Sequence, residues 1–199
     1  MSTISMRKDT TETIRASRIN VGAGWIAPKT KVKKFAGFKV GGGKQKEVDL
    51  DLIAVAEDFD GSPIRICWYS NPDAFEDGTL TSDGDNQTGV GAGDDETIRA
   101  KLSELPGNVR QITFMVTAFK EGASFQDIEG ADLNVYDGVS NEKLLHMSVK
   151  LNERSNAVAV AVATRVDSNV WDITYINQYA NISGTRDSVL DFANRVSNF

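Results

Sequence analysis

The chain has 199 residues, 40% apolar and 25% charged, with a formal net charge of −6, the balance expected of one globular domain large enough to bury a sizeable core. Cys67 is the only cysteine and His146 the only histidine, which excludes an intrachain disulfide or thiol pair and leaves too few ligands for a His/Cys zinc site. No stretch approaches the ~18 consecutive apolar residues of a membrane span, and the opening MSTISMRKDTTETIRAS lacks an apolar signal region, so residence in the cytoplasm, or in a particle assembled there, is the expectation.

Residues 1–18 are polar and weakly patterned and read as an N-terminal arm or edge element ahead of a domain spanning 19–199. Ile19–Ile26 (INVGAGWI) follows as a strand with two glycines, stopped at Pro28. Residues 29–47 form a basic, glycine-rich insertion with Gly41-Gly42-Gly43, a long loop or a flexible hairpin. Its GFKVGGGK string fails the phosphate-loop spacing, with Gln45 where a hydroxyl is required. Residues 1–46 hold eleven basic side chains against Asp9 and Glu12, a net +9 that leaves −15 for the remainder. Only Phe35 and Phe38 accompany those lysines as stacking groups, so a solvated basic loop is preferred over a nucleic-acid site.

From Val48 onward, apolar residues recur with period 2: VDLDLIAVA (48–56), SPIRICWYS (62–70), QITFMVTAF (111–119), ADLNVYD (131–137), LLHMSVKL (144–151), NAVAVAVAT (156–164) and SNVWDITYI (168–176), with TIRAKL (97–102) as a further candidate. Turn chemistry separates them, at Asp60-Gly61-Ser62-Pro63, Pro106-Gly107-Asn108, Asp137-Gly138 and Asp167-Ser168-Asn169. Regular short strands of this kind predict an all-β fold, an antiparallel β-sandwich. Residues 185–196 alone have helical spacing, with Val189, Phe192, Ala193 and Val196 on one side, and predict a short C-terminal helix covering a sheet edge. Trp25, Trp68, Tyr69, Trp171 and Tyr175 fall in strand-like runs and are assigned to the core, and His146, in LLHMSV, to a structural or surface role.

The chemistry-bearing segment is 71–96, NPDAFEDGTLTSDGDNQTGVGAGDDE, with eight acidic residues and no Lys or Arg. Calcium takes six to eight hard oxygen ligands in a forgiving geometry, and carboxylates, the Asn86 amide, the Thr88 hydroxyl and backbone carbonyls all qualify. Gly89, Gly91 and Gly93 permit positive φ and let the loop curl. The segment is not an EF-hand, because counting from Asp83 puts Thr88 where that motif needs glycine. In the strand VDLDL, alternation sets Leu50 and Leu52 on one face and Asp49 and Asp51 on the other, ~6–7 Å apart at two residue rises. Asp58 and Asp60 are weaker candidates.

At these residues the sequence resembles the TerD family of tellurium-resistance and stress proteins, through VGAGW (21–25), DLDLIAVA (49–56), GDNQTGVGAGDDE (84–96), ITFMVTAF (112–119), SFQDIEGADLNVYD (124–137) and the run 171–193. The resemblance implies a β-sandwich whose clustered acidic loops hold calcium ions. It implies Asp49, Asp51, Asp85, Asn86, Asp94, Asp95 and Glu96 as ligands, and action in resistance to tellurite, other chemical stress and phage. Many members have aspartate where Ala92 stands and directly after the tryptophan, where this chain has Ile26. No nucleophile–base constellation stands out, so binding and assembly with protein partners or further copies are expected in place of catalysis. A structural component of a large assembly such as a phage particle is the alternative.

Overall fold

The computed structural model describes residues 3–26, 33–35, 38–40, 49–84, 93–118, 124–125, 128–149 and 154–197, with 33–35 and 38–40 described as backbone. Two six-stranded sheets face each other. The first runs β1 (Ile4–Ser5), β12 (Lys143–Val149), β11 (Gly130–Asp137), β3 (Ile19–Ile26), β9 (Glu96–Ala100) and β8 (Leu80–Ser82). The second runs β2 (Thr11–Arg15), β14 (Val170–Ala180), β13 (Ala157–Asp167), β10 (Gln111–Thr117), β6 (Asp51–Glu57) and β7 (Pro63–Cys67). Pairing is antiparallel throughout both sheets except where β1 lies parallel to β12. Residues of the basic insertion form a separate two-stranded ribbon, β4 (Lys33–Phe35) and β5 (Phe38–Val40).

The period-2 pattern is what builds the core. Val21, Ala23 and Trp25 of β3 and Leu133 and Val135 of β11 meet Leu52, Ala54, Phe114, Val116 and Val160 of the second sheet. The central strands β6 and β10 are buried on both faces, because the helix α1 (Arg186–Val196) closes over the outer face of the second sheet. Its Val189, Phe192, Ala193 and Val196, the four positions expected from spacing, pack with Ile53, Val55 and Met115. Thr185 caps the helix by accepting from the Ser188 N–H. The helix therefore covers a sheet face beside its edge.

The arm is structured. Residues 3–16 supply an edge strand to each sheet, and Met6, Ile14 and Ala16 bury in the core. One aromatic expectation is corrected. Trp25, Trp68, Trp171 and Tyr175 are buried, but Tyr69 is 50% exposed, because it lies beyond the last residue of β7 and rests on Trp68, ring centroids 5.0 Å apart. Cys67 is buried and its thiol is pushed up to about 12, by burial first and the nearby Asp73 charge second. Among the described residues no helix is long and apolar enough to cross a membrane.

The register places the acidic residues. Ile26 of β3, Glu96 of β9, Asp51 of β6 and Thr117 of β10 all stand at the same end of their sheets, because Ala23 pairs with Glu96 and Asp51 with Thr117. β3 ends and β6 begins at this end.

Candidate metal centre

The described acidic residues of 71–96 do different work. Upstream, Asp73 and Asp77 hold turns. Asp73 accepts from the Gly78 N–H at 3.0 Å, and Asp77 accepts from the Thr79 hydroxyl at 2.7 Å and its N–H at 2.9 Å. Those bonds, the hydroxyl foremost, lower the Asp77 carboxyl below its usual range. Asp83 forms a bidentate pair with Arg99, at 2.6 and 2.5 Å across the β8–β9 edge. Asp58, a weaker candidate, is likewise a turn cap, accepting from Asp60 and Ser62 N–H groups at 2.9 Å each.

Downstream, Asp94, Asp95 and Glu96 enter β9 through a turn that needs Gly93 at φ +110°. The Asp95 N–H donates to the Ala23 carbonyl at 2.7 Å, and the Asp95 carboxylate accepts from the Trp25 N–H at 3.0 Å. Glu96 points between the sheets and accepts from the Leu52 N–H of β6 at 2.6 Å. That amide is available because β7 ends opposite Ala54, short of Leu52. Asp94 turns the other way, onto the outer face of the first sheet, and accepts from the Asn134 amide at 2.6 Å. Burial, and then a hydrogen bond to Asp94, raise the Tyr136 hydroxyl well above its ordinary range.

Gly22 and Gly24 make this docking possible. A Cβ at Gly22 would lie 2.1 Å from the Asp94 carboxylate, and one at Gly24 would lie 2.9 Å from the Gly93 carbonyl. The two glycines alternate with buried Val21, Ala23 and Trp25, so both face outward. Their spacing in VGAGW was the available signal for a close backbone approach; Asn134, forty residues from Asp94, had none.

Of the expected ligands, Asp94, Asp95 and Glu96 are thus brought to one turn, and Asp49 and Asp51 to the adjoining start of β6, Asp49 half-buried and Asp51 buried. Asp85 and Asn86 lie outside the described residues, as do Thr88, Gly89 and Gly91. Among the described residues no three His, Cys, Asp or Glu side chains form a ready metal cage. The donor set is nonetheless all oxygen, with Asp94 accepting from the Asn134 amide, Asp95 from the Trp25 N–H and Glu96 from the Leu52 N–H. Such a set suits a hard divalent cation.

Comparison with known proteins bears on this arrangement. The family model for the TerD domain matches residues 2–182. The chain is 34% identical over 173 residues to tellurium resistance protein TerZ of Serratia marcescens, covering 86% of this chain and 83% of that one. It is 24% identical over 178 residues to stress response protein SCP2 of Bacillus subtilis (strain 168), covering 88% and 86%. The fold superimposes on the crystal structure of a homologue of telluride resistance protein (TerD) from Streptomyces coelicolor A3(2), with a TM-score of 0.62 at 20% identity over 83% of this chain and 91% of that one.

Proposed function

The chain belongs to the TerD family, and on that premise we propose that it is a calcium-binding stress-response protein, working by binding and assembly and not by catalysis. The observation that carries this reading is the seat made for Asp94. An acidic loop serving only solubility would have no use for a strand with two glycines that admit a carboxylate against its backbone.

Asp94, Asp95 and Glu96 from the turn, with Asp49 and Asp51 from the start of β6, are the residues that would hold calcium, Asp94 and Glu96 facing opposite ways and so not sharing one ion. Bound calcium supplies positive charge among crowded carboxylates. The chain's own groups orient them: Asn134 holds Asp94, the Trp25 N–H holds Asp95 and the Leu52 N–H holds Glu96. A turn fixed in this way presents a pre-organised surface to a protein partner or a further copy, which lowers the ordering cost of association. The names of the relatives, tellurium resistance and stress response, supply the setting.

Calorimetric titration with calcium and with magnesium, on the wild type and on a double Asp94→Ala, Asp95→Ala variant, tests the reading. Calcium should bind the wild type more tightly than magnesium, which keeps its waters and demands a strict octahedron, and the variant should lose the calcium heat. Equal binding by wild type and variant would remove both aspartates from the ligand set.

A further inference from the structure

Gly22 of β3, Asn134 of β11 and His146 of β12 stand abreast across three neighbouring strands of the first sheet. Asp94 lies over the first of them. The outer face of β11 would ordinarily be wet, yet Asn134 is only 6% exposed. Its amide nitrogen donates to Asp94 Oδ1 at 2.6 Å, and its oxygen lies 2.9 Å from His146 Nδ1. The imidazole is 31% exposed and its far nitrogen, Nε2, lies 3.3 Å from Ser148 Oγ and 3.6 Å from Asp132 Oδ1.

The chemistry of this row fixes its direction. An ionised carboxylate only accepts, so Asn134 must offer its NH2 to Asp94 and turn its carbonyl to His146. His146 Nδ1 must then carry hydrogen. The reversed amide would set two oxygens against each other at 2.6 Å. We propose that Asn134 and His146 are positioning residues for the ion site, an outer relay in which the Nδ1–H form of His146 orients Asn134 and Asn134 orients the Asp94 carboxylate. The inference rests on the calcium reading above. Carboxylate ligands are commonly held this way, and removing such an outer partner typically costs ~10–100-fold in metal affinity.

The test combines calorimetry with the spectrum of the chain's only histidine. Nitrogen-resolved imidazole spectra at about pH 8, where a free imidazole is neutral, should show hydrogen on Nδ1, the less common form of free histidine, and calcium should move those signals. Asn134→Leu should weaken calcium binding by about tenfold or more. His146→Leu should weaken it by a few fold, and His146→Asn, whose amide nitrogen takes the place of Nδ1 as donor to the Asn134 oxygen, should restore affinity to within about twofold of wild type. Circular dichroism checks each fold; should Asn134→Leu not fold, the His146 pair and the spectra decide. Absence of hydrogen from Nδ1, or calcium affinity equal in His146→Leu and wild type, overturns the relay while the ion reading stands. Absence of calcium binding by the wild type overturns both.

Discussion

At Gly22 a single added methyl group separates the seat from the sandwich. The Cβ of Gly22→Ala would sit 2.1 Å from the Asp94 carboxylate, so the turn must lift away while Val21 and Ala23 stay in the core. Calcium affinity should fall at least tenfold by calorimetry, with a stability loss of about 1–3 kcal/mol in urea, the usual cost of overpacking. Glu57 offers the contrasting case of a carboxyl with no exposure. Burial raises it above its usual range against the opposing hydrogen bonds from Thr113 and Gln111. The folded chain therefore keeps that proton at pH values where the unfolded chain has lost it. The sign follows: Glu57 favours folding most below the ordinary glutamate range, and that contribution is lost as pH rises through its folded value. Urea midpoints measured from pH 4 to 8 should show Glu57→Gln gaining on the wild type toward the upper end.

At the scale of elements, what was legible follows from which patterns are local. The helix and its buried side could be read, since Val189, Phe192, Ala193 and Val196 recur at helical spacing and bury together, although it docks on a sheet face where an edge was expected. The strand β8 could not, because Leu80-Thr81-Ser82 is three residues inside an acidic segment and owes its pairing to Arg99 and Ile98 of β9. The acidic cluster was visible as composition, but its division was not. Whether an aspartate caps a turn, like Asp77, or lies on a glycine, like Asp94, depends on strands brought together from distant positions. The arm is a similar case: weakly patterned because β1 and β2 are edge strands with one wet side. Deleting residues 1–18 would bare the backbone edges of β12 and β14 and remove Met6, Ile14 and Ala16 from the core. Open edges template association, so the truncated chain should elute as larger species in size exclusion and melt earlier than the full chain.

For the whole molecule, an ion that binds only the folded state adds its binding free energy to stability. At calcium a hundredfold above its dissociation constant this is about 2.7 kcal/mol. For a chain of this length that corresponds to a rise of ~5–10 °C in Tm, given ~2–4 °C per kcal/mol. Melts with calcium and with chelator should separate by that amount in the wild type and coincide in the Asp94→Ala, Asp95→Ala variant. The uneven charge, +9 over residues 1–46 against −15 beyond, adds that moderate salt should narrow the separation, since screening relieves crowded carboxylates without an ion.

Glu96 belongs to one layer through its backbone and to the other through its carboxylate, which grips Leu52 across the gap. Tension or slack introduced beside it in the turn is therefore shared by both layers at once. The amide proton of Leu52 then acts as a remote gauge: its exchange with solvent, read deep in one wall of the sandwich, registers what happens on the rim of the other.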